Sequence, residues 1–346
     1  MKSRGYAVLT AKSPLVPYEF ERRNIAPDDV AFDISYVGIC HSDIHQAREE
    51  WGAAIFPMVP GHEIVGIVTA IGSEVSKFSI GDLIGVGVFV DSCGTCEQCT
   101  SGLENYCANG MTGTYNGYER DGKTVTFGGY STNFVVKERY AVKVPKNLAL
   151  EGVSPLMCAG ITLYSPLKHW GAGPGKKVGI IGLGGLGHMG VKFSKALGAH
   201  TTVFSHSAAK ESDARKMGAD DFIVTKDPSN LSNLNSDFDL ILNTVSADID
   251  IQPYLRLLNM DATLVVIGLP SNPYEVSAGT FLSRRRSLAG SMVGGMPELQ
   301  EMMDFCGLHN ITSDVEVIAA QYINEAYERT VASDVKYRFV IDAKTF

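Results

Sequence analysis

Short apolar runs broken at close intervals by glycine, proline and aspartate fill residues 1 to about 145. Segments such as "EIVGIVTAIG" and "LIGVGVFV" are rich in β-branched residues and too short for helices. They predict an antiparallel, barrel-like β domain. From about residue 176 the pattern changes period. "KVGIIGLG" reads as a buried strand, "GHMGVKFSKALGA" as a helix and "HTTVFSH" as a strand. "AAKESDARKMGA" follows as a helix, "DFIVT" and "DLILNTV" as strands, "DIQPYLRLLNM" as a helix and "ATLVVIG" as a strand. Strands alternating with helices of this length predict a doubly wound parallel sheet. A helix over "PELQEMMDFCGL" and a strand over "KYRFVID" complete the chain. The expected plan is a β-rich domain over 1–150 and 292–346, with an α/β domain over 151–291 between them. No internal repeat or low-complexity linker interrupts it.

The chain has 346 residues, more than a single domain usually holds, and it is 45% hydrophobic and 20% charged. Its formal net charge of −8 leaves no broad basic surface for nucleic acid or an anionic membrane. The one basic run, Arg284-Arg285-Arg286, reads as a solvated strand edge or loop. No apolar run reaches the roughly 20 residues of a membrane span, and "MKSRGYAVLT" lacks the core of a secretory signal. A cytoplasmic location is therefore expected. In a reducing compartment, clustered cysteines point to metal rather than to disulfides.

That expectation bears on the seven cysteines. Cys93, Cys96, Cys99 and Cys107 lie in "CGTCEQCTSGLENYC" with spacing C-x2-C-x2-C-x7-C. Two-residue gaps let thiolates converge on one tetrahedral ion about 2.3 Å away, and four of them close its shell. Ferredoxin runs differ in the last gap. The expectation is a structural zinc lobe over 91–108. Cys40 in "GICHSDIHQ", His62-Glu63 in "VPGHEIVG" and Cys158 in "PLMCAGITLYSPL" are also metal-ligand types, but spacing does not join them.

"GIIGLGGLGHMG" carries G-x-G-x-x-G at Gly182, Gly184 and Gly187, directly after a strand and opening a helix. There Gly182 serves the tight turn, Gly184 admits a pyrophosphate to the backbone N–H groups, and Gly187 lets helix and strand pack closely. About twenty residues on, the second strand ends in Ser205, followed by His206, Ser207 and Lys210. Folds of this kind that prefer NAD close that strand with a carboxylate, which would repel a 2′-phosphate. Three short polar side chains and a lysine predict NADP(H).

Taken together, "GICHSD", "VPGHEIVG", "CGTCEQCTSGLENYC", "TYNG", "GGYS", "PLMCAGITLYSPL", "GLGGLGHMG", "GSMVGG" and "DVKYRFV" span nearly the whole chain. In this order they resemble the zinc-dependent medium-chain alcohol dehydrogenases, in particular the cinnamyl-alcohol-dehydrogenase-like branch of broad-specificity aldehyde reductases. The resemblance implies a GroES-like catalytic domain joined to a Rossmann-type domain. It implies a catalytic zinc on Cys40, His62 and Cys158, with Glu63 able to enter the shell, and two zinc ions per chain. Asp43 would hold the second nitrogen of His62, and Ser42 and His45 would carry a proton. His41, Thr162, Gly182, Leu183, Gly184, Gly185, Leu186, Gly187, Ser205, His206, Ser207, Lys210, Ser291 and Arg338 would contact NADP(H). The implied reaction is reversible hydride transfer between NADP(H) and a primary alcohol or aldehyde, by a homodimer.

Trp51, Phe56, Met58, Phe89, Tyr115 and Met292 are candidates to line an apolar substrate pocket. Plant relatives acting on cinnamyl substrates carry a tryptophan just before the "YN" pair, and Met111 to Thr114 holds none. Cys306 is left as plain core. Two rival readings are a binding protein that has lost catalysis, which the intact zinc-ligand set disfavours, and an NAD-linked polyol or formaldehyde dehydrogenase, which Ser205 disfavours.

Overall fold

The computed structural model describes residues 1–346. Contacts divide the chain into residues 1–161 with 294–346, and residues 162–293. The divisions fall at Ile161/Thr162 and Val293/Gly294 rather than at 150/151 and 291/292. The physical reason lies in the short helix Leu150–Val153 and the turn Ser154–Met157, which pack on the β-rich unit's own strands. Ser154 Oγ donates to Glu63 O at 2.6 Å, tying this segment, and Cys158 after it, to the first unit.

That unit is built on a seven-stranded sheet. Its order is Val315–Ile318, Arg338–Asp342, Asp29–Gly38, Ile64–Ile71, Leu83–Val86 and Val142–Lys143, with Asn133–Lys137 also on Asp29–Gly38. Only Val315–Ile318 and Arg338–Asp342 run parallel; the remaining pairs are antiparallel. The C-terminal segment thus returns to the sheet of the N-terminal one. Asp29–Gly38 is mostly buried, and its register against Ile64–Ile71 shifts twice. Such bulges add local twist and let a sheet curl. Pairing of Val37 with Ile64 has a direct consequence for chemistry. It brings Cys40, just past one strand's end, beside His62, just before the start of the other.

The second unit is a six-stranded parallel sheet. Its order is Asp221–Val224, His200–Ser205, Lys177–Ile181, Phe238–Asn243, Leu258–Val266 and Ser287–Gly290. Chain direction across the sheet reverses at Lys177–Ile181, so the crevice beyond its carboxyl end is where such sheets take ligands. Phe204, Phe238, Ile241, Leu255 and Leu264 lie in its core.

Three elements differ from expectation. The helix expected over "DIQPYLRLLNM" spans only Gln252–Leu257, because Leu258 pairs with Phe238 and already begins the next strand. "AAKESDARKMGA" divides into a 3-10 turn, Ala208–Lys210, and a helix, Glu211–Met217, which Gly218 ends at φ +107°. In the basic run, Arg286 is buried rather than solvated. Its guanidinium donates to Leu258 O at 2.8 Å and Arg256 O at 2.9 Å, satisfying carbonyls where that helix gives way to strand. No helix is long and apolar enough to cross a membrane.

Candidate metal centres and cofactor loop

Two clusters of metal-ligand side chains occur, and both lie in the β-rich unit. Within each, the ligand atoms lie within 4.8 Å of one another. The first is Cys93, Cys96, Cys99 and Cys107. Sulfurs about 2.3 Å from a common ion stand about 3.8 Å apart in a tetrahedron. Cys93 Sγ and Cys99 Sγ are 3.9 Å apart, and Cys96 Sγ and Cys107 Sγ 4.0 Å. The lobe's turns aim backbone N–H groups at the sulfurs: Cys96 N at Cys93 Sγ, Cys93 N at Cys107 Sγ and Ala108 N at Cys96 Sγ, at 3.4 to 3.5 Å. Hydrogen bonds from the Thr95 and Cys96 backbone hold the Cys93 thiol down to about 5, while burial pushes Cys99 up to about 11. Unbalanced thiolates at this spacing repel, so the cluster fits a dication with a closed shell and no place for substrate. The lobe is anchored by Glu104, whose carboxylate accepts Met296 N at 3.0 Å at the start of helix Met296–His309 and pairs with Arg139 at 3.2 Å.

The second cluster is Cys40, His62, Glu63 and Cys158, all buried. Cys40 caps helix His41–Ala47, and Asp43 accepts Cys40 N at 3.0 Å in return. The same carboxylate takes His62 Nδ1 at 3.0 Å. That leaves Nε2 as the ring's ligand atom, with a carboxylate behind it, the usual arrangement for a metal-binding histidine. Burial works to lower the His62 pKa, but the Asp43 carboxylate overrides it and holds the ring well above its ordinary value. The hydrogen bond between the two thiols holds Cys40 well below the usual thiol range and Cys158 well above it. Burial pushes Glu63 up to about 8 against the pull of Arg338. Glu63 Oε1 accepts Arg338 Nη2 at 2.5 Å, whereas its buried Oε2 has no partner. Two sulfurs, one imidazole nitrogen and an orphaned carboxylate oxygen at one point fit a zinc ion with an exchangeable position.

In the α/β unit, Gly182 adopts φ +90°, and a Cβ on Gly187 would stand 2.0 Å from Gly182 O. Around Gly184 nothing lies within 4 Å of a hypothetical Cβ, so the loop is open where a pyrophosphate would approach. Gly185 and Leu186 complete the turn into helix Gly187–Ala196. Ser205 ends its strand buried, with Ser207 N donating to its Oγ at 3.3 Å. Lys210 Nζ donates to Leu183 O at 2.8 Å, which brings the ammonium to the glycine loop. His206 and Ser207 are exposed.

The alcohol dehydrogenase GroES-like domain family matches residues 26–146, and the zinc-binding dehydrogenase family matches residues 185–307. The chain is 56% identical to NADP-dependent alcohol dehydrogenase C 1 of Mycolicibacterium smegmatis, over 98% of this chain and 97% of that one. It is 50% identical to the aldehyde reductase YahK of Escherichia coli, over 100% of this chain and 99% of that one. A solved cinnamyl alcohol dehydrogenase from Sorghum bicolor is 44% identical and superposes with a TM-score of 0.96, covering 99% of this chain and 98% of its own. The chain belongs to the zinc-dependent alcohol dehydrogenase family.

The remaining expected residues occupy varied surroundings. Arg338 is buried with its Nη2 on Glu63 and on Ile39 O at 2.9 Å. Met58 and Phe89, expected in a substrate pocket, are core: Met58 bridges to Val8, and Phe89 packs edge-on against Tyr140. Tyr115 stacks on the His62 ring with centroids 5.8 Å apart. Thr162 is buried on helix Ala159–His169, Ser291 is half-buried after the last parallel strand, and His41 is exposed. Cys306 is fully buried, its thiol pushed up to about 12 by burial.

Sequence reasoning missed Glu50. Ser42 Oγ lies 3.6 Å from Cys40 Sγ, and His45 follows one turn later on the same helix. His45 Nδ1 bonds Glu50 Oε2 at 2.5 Å, and the His45 ring stacks on Trp51 at 4.8 Å. The only signal in the sequence was an acid five residues after the histidine. A carboxylate on Nδ1 fixes ring orientation and leaves Nε2 to exchange protons. His45→Ala is expected to slow turnover by roughly tenfold or more and to reshape the pH–rate profile with the metal retained. Glu50→Gln should displace the same profile more mildly. A profile identical to the parent's in both variants would remove these residues from proton transfer.

Proposed function

We propose that the chain is a zinc-dependent alcohol dehydrogenase acting mainly as an aldehyde reductase. It moves hydride reversibly between NADP(H) and a broad range of aliphatic or aromatic primary alcohols and aldehydes. The observation that carries this is the buried Cys40–His62–Cys158 set with its orphaned Glu63 oxygen. The chemistry supplied at such a set is Lewis-acid polarisation of a carbonyl, or acidification of an alcohol, with the nicotinamide giving or taking the hydride. Cys40 and Cys158 would hold the metal as thiolates, and Asp43, bonded to His62 Nδ1, would leave Nε2 as the ring's ligand atom. Ser42 gives a proton to the substrate oxygen on reduction and takes one on oxidation. His45, partly exposed and one turn away, passes that proton to or from solvent with Glu50 holding its ring. The test is aldehyde reduction by NADPH that stops when zinc is stripped and returns when zinc is restored. Turnover that survives complete removal of zinc would reject the reading.

Cofactor choice rests on the end of strand His200–Ser205. A carboxylate at Ser205 would accept the Ser207 N–H and ribose hydroxyls but repel a 2′-phosphate. A charge-assisted contact to that phosphate is worth about 1.5–3 kcal/mol, or roughly ten- to a hundredfold in affinity. Lys210→Ala should weaken NADPH binding by that range and leave NADH nearly unchanged, and Ser205→Asp should shift preference toward NADH. Titrations with both cofactors check this, and equal loss for both would refute it.

The assembly we propose is a homodimer through the outer edge of the parallel sheet. Strand Ser287–Gly290 pairs only with Leu258–Val266 and leaves its other edge free. Sedimentation should then report twice the chain mass of 37.3 kDa. A cytoplasmic location accords with seven unpaired cysteines, and cell fractionation would check it.

A further inference from the structure

The "GGYS" motif has no part in the chemistry above, yet it abuts the second metal centre. Residues 128–130 run beside 59–61 like a short strand pair. Gly128 N donates to Val59 O at 2.7 Å, Gly129 N to Gly61 O at 2.8 Å and Tyr130 N to Pro60 O at 2.9 Å. The pairing is close enough that only glycine fits. A Cβ on Gly128 would lie 2.3 Å from Pro60 O, and one on Gly61 would lie 2.6 Å from the Tyr130 ring. The loop before His62 is thereby clamped to the loop carrying Tyr130.

At the end of this clamp Tyr130, fully buried, donates its hydroxyl to Asp43 Oδ2 at 3.1 Å. Asp43 also accepts Cys40 N, Gly61 N at 3.1 Å and His62 Nδ1. One buried carboxylate therefore fixes two ligands of the metal set, and the Tyr130 hydroxyl braces its Oδ2. Tyr327, from helix Ile323–Val331, donates to the Tyr130 hydroxyl at 3.4 Å, so the returning C-terminal segment supports the same point.

The Tyr130 loop is itself gripped from outside. The Arg22 guanidinium donates to Phe127 O at 2.7 Å, Gly128 O at 2.8 Å, Ser131 Oγ at 2.8 Å and Asn133 O at 2.6 Å. It lies over the rings of Phe20 and Phe134, 5.1 Å and 4.3 Å from their centroids. Five donors in a planar fork suit Arg to bracing several carbonyls at once.

We propose that Tyr130, backed by Tyr327 and held in place by Arg22, is the positioning residue that fixes Asp43 behind His62 and so governs how firmly the Cys40–His62–Cys158 centre retains zinc. This rests on the metal-centre reading above. Loss of a hydrogen-bonded group behind a ligating histidine typically costs ten- to a hundredfold in metal affinity. Tyr130 acts one step further back, through Asp43.

The test is zinc release from the full chain to a chromophoric chelator, with the parent, Tyr130→Phe and Tyr327→Phe compared. The phenylalanine ring keeps the packing on Gly61 and removes only the hydroxyl. Tyr130→Phe is expected to release one of its zinc ions about tenfold faster than the parent, while the other, in the four-cysteine lobe, leaves at the parent's rate. Tyr327→Phe should give a smaller change in the same phase and covers the case in which the first variant does not fold. Unchanged release in both variants would overturn the proposal. Equal acceleration of both phases would also overturn it, since that marks general loosening of the unit. A parent that binds zinc only in the four-cysteine lobe would instead reject the metal-centre reading itself.

Discussion

Replacing His62 with alanine is expected to abolish aldehyde turnover, by about a thousandfold or more in kcat/KM, while NADPH still binds. A loss of that size is about 4 kcal/mol or more of transition-state stabilisation. It follows from what His62 touches. Its removal takes away the sole nitrogen donor of the set and leaves the buried Asp43 carboxylate without its imidazole partner. Cys40, Cys158 and the Glu63 carboxylate then remain without the imidazole, and a dication is poorly held. Cys158→Ala should behave alike. The glycine loop belongs to residues 162–293, which contain neither ligand, so binding of NADPH should persist. Metal analysis should fall from about two zinc ions per chain to about one. Steady-state kinetics, metal content and cofactor titration on one preparation make the check. A variant that keeps both its zinc and its activity would contradict the assignment.

Cys99→Ser is expected to act on folding instead. A structural zinc in a small lobe contributes about 10–16 kcal/mol of apparent binding free energy, which is folding free energy where the unfolded chain has no site. Whole domains are stable by about 5–15 kcal/mol. Cys99 is the most buried of the four cysteines, and its Sγ is 3.1 Å from Ser92 Oγ, which also bonds the Tyr140 hydroxyl at 2.9 Å. Losing this ligand unseats the lobe, and with it the Glu104 contact to helix Met296–His309. Aggregation on expression, or a Tm lowered by more than about 10 °C, is the expected result. A variant that folds normally with both zinc ions would show that the four-cysteine lobe is not a closed structural site.

Legibility in the sequence followed the distance between the residues that cooperate. The four-cysteine lobe could be read from spacing because all its ligands fall within fifteen positions. The parallel sheet could be read from strand–helix alternation, and the glycine loop from its place between strand and helix. Cys40, His62 and Cys158 could be joined only through the resemblance, because the pairing of Val37 with Ile64 and the packing of Ser154–Met157 bring them together. Tyr130 is marked only by the "GGYS" motif, which does not show its partner, and Arg22 has no local signal. Their partners lie far along the chain, and a buried arginine facing carbonyls looks in sequence like any surface arginine. Glu63 and Arg338 are 275 positions apart, so nothing local in the sequence signals their pairing. The contact-based division at Ile161/Thr162 is hard to read for a related reason: residues 150–161 carry no change of pattern there.

The most direct measurement of the central claim is kcat/KM of the zinc-loaded, unmutated protein with NADPH and with NADH. It should be made across short aliphatic, branched and aromatic aldehydes. The account predicts reduction of several of these with NADPH, at an efficiency roughly ten- to a hundredfold above that with NADH. No turnover of any aldehyde, or equal efficiency with the two cofactors, would contradict it.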